Sequence, residues 1–213
     1  IQEQKKIDKT IKLLSRLIET PSVSGEEEKT ADLLFDYLSA EGVNPERLHN
    51  NVWAYNMKYS ADNPTVLMLS HHDTVEASHS YTMDPWKVHR EGDRIYGLGS
   101  NDAGASLCAM LHVFVEFAKI KSLPVNLLFC AVAEEEISGA MGVTSILDRL
   151  NEVDFAIVGE PTGMKVAVAE KGLLVLDCTA QGVAGHAARG TGKNAISIAM
   201  NDIQWIENYE FAK

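Results

Sequence analysis

The chain has 213 residues, of which 46% are hydrophobic and 23% charged, and its formal net charge is −11. That length suits one full domain and part of a second, and the mixture is ordinary for a globular protein. The acidic balance argues against nucleic acid or an anionic membrane as partner, and no apolar run approaches the ~20 residues that span a bilayer.

Ile7, Ile11, Leu14 and Ile18 recur at helical spacing, so residues 4–19 are expected to form an amphipathic helix that stops before Pro21. Ser24-Gly25-Glu26-Glu27 has a capping-box pattern that opens a second helix through Leu33, Leu34, Tyr37 and Leu38 and ends near Gly42. Strands are expected at Val52–Met57 and Thr65–Ser70. From His71 to about Gly104 runs an irregular segment rich in His, Ser, Asp, Gly and Pro, too long for an idle connection. Residues 105–120 read as a helix with Leu107, Met110, Leu111, Phe114, Val115 and Phe117 mostly on its buried side, and Val125–Val132 as a strand buried on both faces. A helix near Met141–Leu150 and strands at Phe155–Val158 and Val166–Ala169 complete the alternation. Such alternation implies an α/β layer fold with a substantially parallel sheet. After Lys171-Gly172 the texture changes: an alternating strand over Leu173–Thr179, a glycine-rich loop over Gly182–Gly192 and a helix over 194–207. One strand and one helix bury little by themselves, so this tail reads as the opening of a second domain.

Cys108, Cys130 and Cys178 are widely spaced in apolar sequence and are expected as buried thiols of a reducing compartment. The first six residues lack the apolar core of a secretory signal, and the expected location is cytoplasmic.

Four short motifs carry the chemistry: Ser70-His71-His72-Asp73-Thr74-Val75, Gly99-Ser100-Asn101-Asp102, Glu134-Glu135-Glu136 and Gly159-Glu160-Pro161. Alone, each has an ordinary reading as a solvated loop or turn. Jointly, three of the four directly follow apolar strand-like runs, where parallel α/β sheets bind ligands. Carboxylates and imidazoles gathered there call for a divalent cation. On an extended segment Asp73 points the same way as His71 and can take one ring nitrogen, leaving the other for metal, while His72 points away. Asp102 offers two oxygens for bridging two cations. Three successive glutamates suggest one carboxylate on metal and its neighbour free as a general base.

With these residues in hand, the chain resembles the dinuclear-zinc aminoacylase, acetylornithine deacetylase and succinyl-diaminopimelate desuccinylase family. The resemblance implies a three-layer α/β sandwich, zinc-peptidase-like, with a largely parallel central sheet, plus the start of a smaller α+β lid or dimerisation domain. It divides the chain into a metal-binding catalytic domain over 1–171 and the beginning of the lid over 172–213. It further implies two Zn²⁺ (or Co²⁺ or Mn²⁺), with His71 and Glu160 on one ion, Asp102 bridging and Glu136 on the other. Glu135 would be the general base and Asp73 the residue orienting His71. His186, in Gly185-His186-Ala187-Ala188-Arg189, would reach a partner subunit's site to polarise the substrate carbonyl. Relatives run well beyond this length and take a final histidine ligand downstream, so the second site is expected to lack one ligand here and the chain to be an N-terminal part. The implied activity is removal of an acetyl or succinyl group from an amino acid such as ornithine, in arginine-type biosynthesis, by a homodimer acting on a small molecule. A di- or tripeptidase with the same centre, or a non-catalytic binding module, are the alternatives.

Overall fold

The computed structural model describes residues 2–169 and 171–210. The chain forms two compact units, one running to Val166 and the other beginning at Ala167. In the first unit, α1 (Gln2–Ile18) and α2 (Glu28–Ala40) precede β1 (Pro45–Leu48), β2 (Asn51–Tyr55) and β3 (Thr65–His71). A short hairpin of β4 (His89–Glu91) and β5 (Arg94–Tyr96) follows, then α3 (Ser106–Ala118), β6 (Asn126–Val132), a 3-10 helix (Val143–Arg149) and β7 (Phe155–Val158). The main sheet has the order β1-β2-β6-β3-β7. Strands β6, β3 and β7 are parallel, whereas β1 and β2 join antiparallel. The architecture is α/β with a mostly parallel central sheet.

Strand alternation sorts the apolar side chains onto two faces. Val52, Ala54, Met68, Phe129 and Ala131 pack under all three helices, against Leu14, Ile18, Leu34, Leu38, Leu107 and Leu111 among others. Trp53, Leu67, Leu128, Cys130 and Val132 face the other way, toward Ile146 of the 3-10 helix. Phe114 of α3 stacks on Phe129 of β6 with ring centroids 5.6 Å apart, both fully buried. Phe129→Ala is therefore expected to cost about 3–5 kcal/mol of unfolding free energy. Chemical denaturation measures it, and a loss below about 1 kcal/mol would mean the core collapses around the gap.

The register of β3 against β6 pairs Thr65 with Asn126 and His71 with Val132. One step further, the His72 amide donates to the Val132 carbonyl at 3.0 Å. This ladder brings the end of β3 beside the end of β6, and with it two of the four motifs.

Several expectations are corrected. The second helix opens at Glu28 with Glu27 at its N-cap, and no side chain caps it. The Ser24 hydroxyl instead donates to Asp73 Oδ2 at 2.7 Å. Strand β2 stops at Tyr55 because Asn56 turns its side chain into the ladder, its Oδ1 accepting from the Leu127 amide at 2.9 Å. Strand β1 carries the polar run Pro-Glu-Arg-Leu, whose lack of apolar alternation conceals it. The segment near Met141–Leu150 tightens to a 3-10 helix, flanked by Gly139 and Gly142, with only Ile146 buried. Phe117 lies 47% exposed, off the buried face of α3. The long segment after His71 contains β4 and β5, closed by a two-residue turn at Gly92-Asp93 with Gly92 at φ +61°. Strand β7 pairs only with β3 among the described residues, so it is an edge and Phe155 is 61% exposed.

In the second unit, Val183 and Lys193 exchange both backbone hydrogen bonds at 2.9 Å and close the glycine-rich loop. Helix α4 (Ala195–Glu207) starts where Asn194 Oδ1 accepts from the Ile196 amide at 2.9 Å. The expected strands at Val166–Ala169 and Leu173–Thr179 do not form. A strand exists through hydrogen bonds to a neighbour, and no described segment pairs with these. Cys178 is exposed there, against the expectation of burial, while Cys108 and Cys130 are buried. No helix among the described residues is long and apolar enough to cross a membrane.

Candidate metal centre

His71 is the last residue of β3 and is only 1% exposed. Its ring is held at both nitrogens. Nδ1 donates to the Asp73 backbone carbonyl at 3.0 Å, with Asp73 Oδ1 at 3.4 Å, while Nε2 lies 3.0 Å from Asp102 Oδ1. Glu160 Oε2 and Glu135 Oε2 stand 3.8 and 3.9 Å from the same Nε2. One donor atom each from His71, Asp102 and Glu136 falls within 4.8 Å of the others. Three distant stretches of chain thus bring carboxylates to one histidine nitrogen.

Each arm has a local cause. Asp102 sits in an irregular helical turn over Ser100–Ala105 that begins after Gly99 at φ +72°. A Cβ at Gly99 would stand 2.7 Å from Thr74 Cγ2, so glycine serves both the left-handed backbone and the close approach to the segment that leaves β3 after His71. Glu160 is brought alongside by Gly159, whose amide donates to the Leu69 carbonyl and whose carbonyl accepts from the Ser70 hydroxyl, both at 2.8 Å. The acidic turn follows β6 directly. There Asp73 does more than the expected orienting of His71: its Oδ1 accepts from the Glu135 amide and its Oδ2 from the Glu136 amide, both at 3.1 Å.

Glu134 leaves the site. Its backbone is left-handed at φ +54°, and its Oε2 accepts from the Met141 amide at 2.9 Å. His72 is buried on the opposite side of the strand, with Nε2 on the Asn50 carbonyl at 2.8 Å and Nδ1 on Thr30 Oγ1 at 2.9 Å. His186 lies in the second unit at the N-cap of a 3-10 turn (Ala187–Arg189), where its Nδ1 accepts from the Ala188 amide at 3.2 Å. It lines a concavity of ≈ 480 Å³ with Lys193, Asn194 and the loop glycines.

The electrostatics are those of crowded anions around one imidazole. Burial works to lower the His71 pKa, but hydrogen bonds to Asp73 and Asp102 and the charges of Asp73 and Glu160 raise it to about 10. Desolvation pushes both Glu160 and Glu136 upward, the neighbouring carboxylates add to it, and the charge of His71 opposes it. Asp73 moves the other way: burial opposes its charge, but bonds from His71, Ser24 and the Glu136 and Glu135 amides hold it low.

This donor set fits a divalent cation. Nitrogen and oxygen ligands at ~2.0–2.2 Å from a tetrahedral ion stand roughly 3.3–3.6 Å apart, a span bracketed by the 3.0 and 3.8 Å from His71 Nε2 to Asp102 and Glu160, with Glu136 inside 4.8 Å. A cation would also relieve the repulsion that raises Glu136 and Glu160. Sequence reasoning missed the residues behind the acidic turn, Glu27 and Asn51. Glu27 stood inside the capping-box pattern, and nothing in a polar Asn50-Asn51 pair signalled a bond to the Ala133 amide, found at 3.0 Å.

The profile of peptidase family M20/M25/M40 matches residues 67–211. Succinyl-diaminopimelate desuccinylase of Corynebacterium glutamicum is 33% identical over 211 residues, covering 95% of this chain and 55% of that protein. Acetylornithine deacetylase of Buchnera aphidicola is 30% identical over 208 residues, covering 91% of this chain and 54% of that one. Among solved structures, a tripeptidase from Staphylococcus aureus superposes with a TM-score of 0.62 at 20% identity, covering 92% of this chain and 55% of that one. The chain spans about half the length of the curated relatives it matches.

Proposed function

Because this chain belongs to peptidase family M20/M25/M40, we propose that it carries the metal centre of an amidohydrolase that removes an acetyl or succinyl group from an amino acid. The observation that carries this reading is the convergence of Asp102, Glu135 and Glu160 on the Nε2 of a fully bonded His71, with Glu136 in the same cluster. The likeness to a desuccinylase over 95% of the chain supports the choice of an N-acyl amino acid over a peptide.

Residues 1–171 form the catalytic part in this reading, and 172–213 open a lid. His71 and Glu160 would hold one divalent ion and Glu136 a second, with Asp102 a ligand to both; Zn²⁺ is the ion proposed. When bound, the ions supply Lewis acidity for a water and for the scissile carbonyl. The protein's own groups do the rest. The Asp73 carbonyl keeps the proton on His71 Nδ1, which leaves Nε2 as the donor atom. A Glu135 carboxylate oxygen takes the proton of the attacking water and returns it to the leaving amine. His186, supplied to the site of a second subunit, donates a hydrogen bond to the carbonyl oxygen as charge develops there. The protein so described acts in the cytoplasm as a homodimer on a small molecule.

The test is a hydrolysis panel of N-succinyl-diaminopimelate, N-acetylornithine, a dipeptide and a tripeptide, each with Zn²⁺, Co²⁺ and Mn²⁺. Cleavage of the acylated amino acids at least tenfold faster than the peptides is the expected result. Faster peptide cleavage would replace this reading with a peptidase. Metal uptake without any hydrolysis would leave a binding module.

A further inference from the structure

Four successive backbone amides lead into the acidic turn, and each is held by a side chain from elsewhere. The Ala133 amide donates to Asn51 Oδ1 at 3.0 Å and the Glu134 amide to Glu27 Oε1 at 3.2 Å. Those of Glu135 and Glu136 are the two on the Asp73 carboxylate. A run of N–H groups turned to one side is an electropositive concavity, and here two carboxylates and an amide fill it.

Glu27 is the unexpected member. Its side chain is fully buried, which is costly for a carboxylate unless its oxygens are bonded. They are: Oε1 also accepts from the Gly25 amide at 2.6 Å, and Oε2 accepts from Asn50 Nδ2 at 2.9 Å. The carboxylate belongs to the first residue before α2, yet it makes no capping bond to that helix. It reaches the amide of a residue 107 positions away. The network also closes on itself. The Asn50 carbonyl accepts from His72, and His72 Nδ1 and the Glu27 carbonyl each lie 2.9 Å from the Thr30 hydroxyl. Glu27 thus ties the start of α2, the turn before β2 and the residue after His71 to the acidic turn.

We infer that Glu27 is a positioning residue: a buried carboxylate that, with Asp73 and Asn51, fixes the backbone from which Glu135 and Glu136 project toward His71. The inference rests on the roles proposed above for Glu135 and Glu136, but its geometry does not. Neutral glutamine at position 27 has one acceptor oxygen and one amino group. It must turn that donor toward the Asn50 amide group or toward the Gly25 and Glu134 amides. One bond becomes a donor facing a donor, either at Glu27's own partners or, if Asn50 flips its amide, at Arg47 Nη2, which donates to Asn50 Oδ1 at 3.1 Å.

The experiment compares wild type, Glu27→Gln and Asn50→Ala. Hydrogen exchange on the metal-free protein reads the amides of Glu134–Glu136. Co²⁺ titration reads affinity, and the metal-loaded protein is assayed on N-succinyl-diaminopimelate. In Glu27→Gln, exchange at these amides should quicken on the order of tenfold. Co²⁺ should bind about 10–100-fold more weakly, and kcat should fall by a similar factor with KM within about threefold. Unchanged exchange together with unchanged Co²⁺ affinity overturns the inference. So does a fall in thermal stability alone, which would make Glu27 a structural anchor only. If Glu27→Gln does not fold, Asn50→Ala decides: it removes one partner of the carboxylate at a half-buried position. Quickened exchange at Glu134 is then the expected result, and an unchanged rate the contrary one. Absence of Co²⁺ binding and of hydrolysis in the wild type would sink the proposed function, while the exchange rates still judge Glu27.

Discussion

Glu135→Gln is expected to lower kcat by about 10²–10⁴ while leaving metal content unchanged. The two halves of that result come from different features of the turn. Glu135 is about half exposed, with its Oε2 3.9 Å from His71 Nε2, and its amide is fixed on Asp73. It therefore faces the cluster as Glu160 does at 3.8 Å, and in the roles proposed above it takes a proton where Glu160 takes a metal ion. Glutamine keeps the shape and the backbone bond but cannot accept a proton at neutral pH. Steady-state kinetics with metal analysis of the same sample checks both halves. Undiminished turnover rejects Glu135 as the base; loss of metal along with activity makes it a ligand instead.

Asp102→Ala should abolish binding of both ions, with affinity falling by more than the roughly 10–100-fold typical of residues one layer behind a metal. Its carboxylate is the group nearest His71 Nε2, and it is also the member shared with Glu136. Glu136→Ala and Glu160→Ala should each cost one ion and spare the other. Isothermal titration with Zn²⁺ or Co²⁺ distinguishes the cases by stoichiometry. An Asp102→Ala protein that still takes up one ion at wild-type affinity contradicts the bridging assignment. The variant should remain folded, because Asp102 is more than half exposed and its removal leaves the cores under α1, α2 and α3 intact.

Much of this was legible in the chain because it depends on short-range pattern. The apolar runs at Thr65–Ser70, Val125–Val132 and Phe155–Val158 lie on β3, β6 and β7, and the helical periodicities of α1, α3 and α4 appear within a few residues of their expected ends. Strand alternation also sets His72 apart from His71, as the period of two requires. Where reading failed, the cause was long-range. Ser24 and Glu27 match a local capping pattern, yet both side chains bond to partners brought near by the sheet, Asp73 and the Glu134 amide. Leu173–Thr179 has the alternation of a strand but none of the hydrogen-bonded neighbours that make one.

Residue order by itself marked the candidate metal donors and set three of their four motifs after parallel strands, since donor type and hydrophobic period are written locally. Only the tertiary structure decided that Asp102 comes within 3.0 Å of the free nitrogen of His71, and that Asp73 grips the amides of Glu135 and Glu136. It alone also brought Glu27 behind that turn. The physical reason is that a hydrogen bond is fixed by distance and direction across space. The pairing of β3 with β6 creates those distances between segments more than 60 residues apart, where no sequence periodicity extends.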